Sequence, residues 1–154
     1  MVIRVATVED IDALCPLLTE FFAYNANLQP MYCNAAVENG EYPRGIIESE
    51  DSDFLVAVDD NSIVGFIHIQ QTKTPSYDAI TPYNYAVIIA FMVTASSRKQ
   101  GAGTSLIEFA KQWSKDKNLD FMELLSLVNA DDANKFYDNN DFTTMSYLRR
   151  YLLY

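Results

Sequence analysis

An apolar run that ends in a glycine-containing turn is the feature that most limits how this chain can fold. The run, Tyr85–Val93, carries no charged residue, and such a run is typical of a strand covered on both faces of a sheet. After a turn that holds Gly101 and Gly103, apolar residues recur at helical spacing over Thr104–Lys117. This order predicts an α/β domain in which the helix crosses over to a strand parallel to the first.

The turn itself has the properties of an anion site. Gly101 and Gly103 let the backbone turn sharply and come close to a ligand. The first N–H groups of a helix have no internal acceptor and lie at the positive end of its dipole. Together with Arg98 and Lys99, they predict a phosphate-binding turn. The alternative is a glycine-rich turn that only starts a helix.

Two common phosphate-binding motifs do not fit this turn. A P-loop ends in Gly-Lys-Ser or Gly-Lys-Thr, and here Thr104 stands where the lysine is required. A dinucleotide fingerprint needs a third glycine three residues after Gly103, where this chain has Leu106. The turn therefore belongs to a different class of phosphate site.

The rest of the chain predicts alternating strands and helices with no linker between them. Pro16 lies inside the first helical pattern and predicts a kink or break there. The predicted strands are 2–6, 54–58, 63–70, 85–93, 121–128 and one or two within 143–153. The first predicted helix begins at Ile11, and four further helices are predicted at 34–39, 43–48, 104–117 and 130–139. The strands at 54–58 and 63–70 predict an antiparallel hairpin, and the whole pattern predicts a mixed sheet.

Length and charge limit the function. The chain has 154 residues and a net charge of −10, which fits one domain and argues against a general nucleic-acid binder. An acidic surface favours a cationic substrate such as an amine, although many soluble proteins are acidic without one. Cys15 and Cys33 are expected to be free thiols, and the single histidine gives no metal-ligand cluster. The sequence also predicts a soluble, cytoplasmic protein with no membrane segment.

The order Arg98-x-x-Gly101-x-Gly103 after a strand that ends at Val93 resembles the coenzyme A loop of the GCN5-related N-acetyltransferase (GNAT) family. Ala133, Tyr137 and Phe142 resemble the second coenzyme A segment of that family. The start of the chain and the hairpin are similar as well. The resemblance implies a three-layer αβα fold, with a mixed, mostly antiparallel sheet of six to seven strands and a splayed parallel pair.

The resemblance also implies which residues hold acetyl-coenzyme A. The pyrophosphate would lie on the 98–104 turn, and the pantetheine arm along the strand before it, with the Phe91 N–H on the thioester oxygen. Many family members place an asparagine where this chain has Ala130, and Asn129 or Asn134 is the candidate substitute. The implied set is Phe91, Met92, Val93, Arg98, Lys99, Gln100, Gly101, Ala102, Gly103, Thr104, Asn129, Asn134 and Tyr137. Asp141 stands where the family usually has glycine.

The implied reaction is acetyl transfer from acetyl-coenzyme A to a primary amine, by direct attack in a ternary complex and without a metal. Tyr137 would donate a proton to the leaving thiolate. Val87 stands where some members have a glutamate, so the candidate bases are His68 and Glu123; a structural histidine and a solvated strand residue are their alternatives. The other hypothesis is a non-catalytic module that binds acyl-coenzyme A. The partner would be a small-molecule or peptide amine, with a homodimer through Tyr147–Tyr154 also open.

Overall fold

A mixed sheet of five strands forms the centre of the computed structural model, which describes all 154 residues. The strands are β1 (Val2–Val5), β2 (Ser52–Asp59), β3 (Ser62–Lys73), β4 (Asn84–Val93) and β5 (Met122–Leu124), and they lie in this order across the sheet. The helices are α1 (Ile11–Leu28), α2 (Glu41–Ile47), α3 (Ala102–Asp116) and α4 (Asp131–Asn139). Neighbouring strands are antiparallel except β4 and β5, which are parallel, as the crossover through α3 predicts. None of the helices combines the length and apolar character that crossing a bilayer requires.

The prediction of six to seven strands is wrong, because no strand forms after β5. Residues 143–154 have no regular structure and make no hydrogen bond with the rest of the chain. The strand predicted at 121–128 pairs over Met122–Leu124 alone. Both differences have one physical reason: a strand needs a hydrogen-bonded partner, and neither residues 125–128 nor residues 143–154 make backbone hydrogen bonds to another strand.

The helices differ from the predictions in two details. Of the kink or break predicted at Pro16, the break does not occur, since α1 is continuous from Ile11 to Leu28. No helix forms over residues 34–39, because the Glu38 carboxylate accepts the backbone N–H groups of Asn39 and Gly40 at 3.1 and 2.9 Å. This local bonding competes with a helix and places the chain at the start of α2 instead.

Alternating residues of the central strands pack against helices on opposite faces of the sheet. Leu55 of β2 belongs to the core beneath α3, whereas its neighbour Phe54 belongs to the core beneath α1 and α2. On the α3 face, the Trp113 indole N–H donates to the Asp53 carboxylate at 2.7 Å. The predicted hairpin is confirmed, and its turn is closed by Asp60 and Asn61, both with positive φ.

A β-bulge divides β4 into two halves. His68 pairs with Ala90 and Ile69 pairs with Ile88, so that Ile89 has no partner on β3 and is half exposed. Before the bulge, Ile88 packs in the α3 core; after it, Ala90 packs in the α1 core. The extra residue therefore reverses the alternation of the strand: even-numbered side chains cover the α3 face before the bulge and the α1 face after it.

Candidate functional site

The turn between β4 and α3 presents a row of unpaired backbone donors. No backbone N–H from Arg98 through Thr104 makes a backbone hydrogen bond of good geometry within the protein. The row is bounded by Ser97, whose N–H donates to Thr94 at 3.0 Å, and by Ser105, whose N–H donates to Gly101 at 2.9 Å. Unpaired N–H groups at the start of a helix can hold an anion.

The two glycines of this turn are needed for different reasons. Gly101 has φ of 87°, and a Cβ added to it would meet nothing within 4 Å, so glycine is required there by conformation alone. A Cβ on Gly103 would lie 3.1 Å from the Phe136 ring and 3.3 Å from the Phe91 ring. Gly103 therefore lets α3 approach the aromatic side chains of α4 and β4, a packing role that its place in the motif did not indicate.

Side chains of the turn stabilise it from outside. Arg98 Nε donates to the Val93 carbonyl at 3.0 Å, and Gln100 Nε2 donates to the Ser96 carbonyl at 2.9 Å. Lys99 is exposed, has φ of 59° and has no carboxylate partner. The Thr94 hydroxyl is buried with no hydrogen-bond partner.

The second half of β4 leaves one strand edge open. The Thr94 N–H donates to Val64, on the β3 side, at 2.9 Å. Because N–H groups alternate along a strand, those of Phe91 and Val93 face the opposite side, towards β5. Pairing with β5 ends at Ile88, so these two amides have no strand partner. The Met92 N–H faces β3 by the same alternation, which differs from its predicted place in the pantetheine set.

Tyr137 lies beside this open edge. Its ring centroid is 6.2 Å from that of Phe91 and 5.7 Å from that of Phe142. Burial raises the pKa of Tyr137 to about 12, with a smaller contribution from Tyr24. The side chain is therefore a protonated phenol at neutral pH, which is the form that can donate a proton.

The candidate asparagines are engaged elsewhere. The Asn129 side-chain amide donates to the Leu28 carbonyl at 3.1 Å. Asn134 accepts from the Ser126 hydroxyl at 2.7 Å and donates to the Leu127 carbonyl at 2.9 Å. Both residues thus hold the segment between β5 and α4 in place.

His68 is buried on the α1 face of the sheet, against Tyr42 and Phe54. The Tyr42 hydroxyl is hydrogen-bonded to His68 Nδ1, and His68 Nε2 is buried with no partner. If the phenol donates, one buried group is unsatisfied; if the imidazole donates, the phenol hydrogen and Nε2 are both unsatisfied. The first arrangement is favoured, and it puts the imidazole proton on Nε2. Desolvation also lowers the pKa of His68 to about 4.

Glu123 is exposed on β5, opposite Val87 of β4. Its neighbours Met122 and Leu124 pack towards α3, so Glu123 points to the other face of the sheet. The same end of the sheet carries an aromatic group, in which Tyr85 stacks on Phe121 with ring centroids 4.7 Å apart. No group of three or more His, Cys, Asp or Glu side chains is arranged to hold a metal ion.

The structure thus brings together the 98–104 turn, the open edge of β4 and Tyr137, and it places His68 in the core on the other face of the sheet. Sequence reasoning missed the Thr94 hydroxyl and the contact between Tyr42 and His68. The hydroxyl lies directly after the apolar run, which was an available signal. The residues of the second contact are 26 positions apart, and no motif connects them.

Comparison with known proteins shows similarity both in sequence and in fold. The sequence model of the Acetyltransferase (GNAT) family matches residues 11–142. The chain is similar to an uncharacterized N-acetyltransferase, YhdJ, of Bacillus subtilis (strain 168), with 38% identity over 64 residues. That stretch is 41% of this chain and 45% of YhdJ, so the match spans less than half of the relative.

Solved structures share the fold. A tetramutant of the BH1408 protein of Bacillus halodurans has a TM-score of 0.93 at 22% identity, over 99% of this chain and 100% of that one. An aminoglycoside N-acetyltransferase in complex with CoA has a TM-score of 0.73 at 14% identity, over 98% of each chain. With a family match over most of its length, the chain belongs to the GNAT acetyltransferase family.

Proposed function

We propose that this protein transfers an acetyl group from acetyl-coenzyme A to a primary amine, by direct attack of the amine in a ternary complex. The observation that supports this most strongly is the unpaired backbone of the 98–104 turn, which continues into the open edge of β4. A diphosphate and an extended arm with amide groups are the two ligand parts that such a surface satisfies.

The donor fits the charge of the site. Residues 94–104 contain Arg98, Lys99 and no acidic residue, in a chain whose net charge is −10. A basic turn in an acidic protein concentrates anions at one place, and the N-terminus of α3 adds its dipole there. Asn129 and Asn134 take no part in this proposal, because their side chains are already bonded.

The reaction forms a C–N bond and breaks the C–S bond of the thioester. In our proposal the Phe91 N–H stabilises the carbonyl oxygen as negative charge develops on it. The amine attacks after its ammonium form has lost a proton. Tyr137 gives its proton to the departing thiolate, the bound nitrogen loses one proton to a base or to water, and a proton from solvent restores the phenol. The raised pKa of Tyr137 keeps that proton in place at neutral pH.

Of the two candidate bases, Glu123 fits the structure better than His68 does. The bonding of His68 argues against it, because Nδ1 already accepts a hydrogen bond and Nε2 carries the proton. Glu123 remains the candidate, since its carboxylate is exposed on the strand that flanks the open edge of β4.

The rival hypothesis, a non-catalytic module that binds acyl-coenzyme A, is favoured by one observation. Val87 stands where some family members carry a glutamate, and His68 does not replace that carboxylate. Release of free thiol from acetyl-coenzyme A in the presence of amines separates the two hypotheses, because the module would bind the donor and release nothing.

Two measurements test the proposal. A thermal-shift titration with coenzyme A should raise the melting temperature, since a ligand at about 100 times its Kd stabilises the folded state by roughly 2.7 kcal/mol. A thiol-release assay should then be run with aminoglycosides, polyamines and a peptide with N-terminal alanine. Proteins of this fold include an aminoglycoside acetyltransferase and a ribosomal-protein-alanine N-acetyltransferase. No thermal shift would contradict donor binding, and a shift without thiol release on any amine would favour the module.

A further inference from the structure

The first half of β4 leaves part of the α1 face of the sheet uncovered. The core beneath α1 and α2 takes from β4 only Ala90 and Met92, which both follow the bulge. Val87 and Tyr85 lie before the bulge on the same face, because Ala86 between them packs towards α3. Neither Val87 nor Tyr85 belongs to either core, and both are half-buried. The helices therefore cover this face after the bulge and leave it open before the bulge.

Three aromatic side chains, Tyr83, Tyr85 and Phe121, form an aromatic wall at the end of this uncovered part. Tyr85 stacks on Phe121 with 17° between the ring planes, and Tyr83 meets Phe121 edge-on with ring centroids 5.6 Å apart. Tyr83 and Phe121 remain 43% and 39% exposed. Rings that pack on one another outside the core offer a rigid apolar surface, on which a flat apolar ligand can stack.

The strands place one charged side chain, Glu123, on the uncovered part. Glu123 pairs with Val87, and Val87 pairs with Gln70, so its neighbours across the sheet are uncharged. It is exposed and forms no ion pair. The nearby Asp120 already accepts the Asn84 N–H at 2.9 Å. A single free carboxylate beside aromatic rings is complementary to a ligand with one cation and an apolar body.

The backbone gives this part of the sheet no further means of binding. Over Ala86–Ile88, β4 pairs with β3 on one side and with β5 on the other. The N–H and C=O groups of this stretch are therefore directed to neighbouring strands, and an occupant is held by side chains alone. A peptide finds no free strand edge here to bond its main chain. A polyamine or an aminoglycoside has several ammonium groups, which one carboxylate does not match.

We infer that the acceptor is an arylalkylamine, a primary monoamine joined to an aromatic ring by a short alkyl chain; this inference rests on the proposed function. Alternate residues of a strand are about 7 Å apart, which is the spacing of Phe121 and Glu123. A ring on the aromatic wall and an ammonium at Glu123 are therefore within reach of one short chain. The bulge at Ile89 begins two residues after Val87, so the nitrogen lies towards the Phe91 N–H and the thioester.

Thiol release from acetyl-coenzyme A, measured with a set of amines, tests the substrate class. The set contains 2-phenylethylamine and tryptamine, hexylamine as an amine without a ring, spermidine, kanamycin and a peptide with N-terminal alanine. The two arylalkylamines should have the highest kcat/KM, exceeding that of hexylamine by about tenfold. A higher kcat/KM for spermidine, kanamycin or the peptide would overturn the inference and leave the proposed function standing. No thiol release with any amine would overturn both.

Variants of the wall test where the ring binds. Phe121→Leu and Tyr85→Leu keep an apolar side chain and remove a ring, so each should raise the KM for 2-phenylethylamine by about tenfold and change the KM for hexylamine little. The Kd for coenzyme A should stay as in the parent, which also shows that the variants are folded. Tyr77→Leu, at an exposed ring outside the wall, and Glu108→Gln on α3 are the controls and should change neither KM. Equal KM values for 2-phenylethylamine in the parent and both wall variants would overturn the inference.

Discussion

Lowering the pH should destabilise this protein through its one histidine. Burial lowers the pKa of His68 to about 4, from an ordinary value of 6.5. As the pH falls, His68 therefore binds a proton near pH 6.5 in the unfolded chain but only near pH 4 in the folded chain. The free energy of unfolding falls as the pH falls between those two values. At about 1.4 kcal/mol per pH unit, the loss from this group is roughly 3 kcal/mol.

The measurement uses the single tryptophan and the single histidine of the chain. Urea unfolding, followed by Trp113 fluorescence at a series of pH values from 7.5 to 4, gives the free energy of unfolding. His68→Gln is the matched control, because its side-chain oxygen can still accept from Tyr42 but does not titrate. The variant should lose roughly 3 kcal/mol less than the parent over this pH range, and the carboxylates should account for what remains.

Nuclear magnetic resonance of the imidazole reports the same group directly. The nitrogen shifts should show a neutral ring with its proton on Nε2 throughout the neutral range. A ring that titrates near pH 6.5, or that carries its proton on Nδ1, would refute the reasoning. Such a ring would also restore His68 as a candidate base.

Three further predictions concern the site and the core. Gly101→Ala places a side chain at φ of 87°, so it should reduce the free energy of unfolding by about 1–2 kcal/mol and weaken coenzyme A binding. The control Gly45→Ala, whose Cβ would meet nothing within 4 Å, should do neither. Equal coenzyme A affinity of both variants in a calorimetric titration would show that the 98–104 turn is not the binding site. Tyr137→Phe should lower turnover in the thiol-release assay more than it lowers coenzyme affinity, and unchanged turnover would reduce Tyr137 to a packing role. Asp53→Ala leaves the Trp113 indole N–H without its acceptor and should reduce the free energy of unfolding by about 1–3 kcal/mol in urea titrations, whereas Asp53→Asn, which keeps an acceptor, should change it less.

Local patterns predicted the elements around the site well. The apolar run, the glycine turn and the amphipathic helix each depend on neighbours in sequence, and β4 and α3 begin and end within two residues of their predicted bounds. The bulge at Ile89 could not be predicted in this way. A strand that is apolar throughout has no alternation, so nothing in Tyr85–Val93 indicates where the buried face changes.

Features that depend on distant partners were predicted poorly. Residues 143–153 have the composition of a strand, but the sequence does not state whether an edge is available to them. The hydrogen bond between Tyr42 and His68 joins a segment rich in polar residues to a core strand, and it occupies the Nδ1 atom of the imidazole. The role of Gly103 also depends on distant residues. Its motif suggests contact with a ligand, whereas a Cβ at this position would meet the Phe136 and Phe91 rings.

The open half of β4 also affects how the protein behaves when it is concentrated. Unpaired strand edges promote aggregation, and most proteins keep them short or covered. Here the unpaired amides of Phe91 and Val93 face into the sheet, on the side of β4 where β5 lies, rather than outwards from its rim. Because β5 lies beyond this edge in the strand order, another sheet cannot pair with it as it could with an outer strand, so the protein can keep the edge open at a lower risk of aggregation.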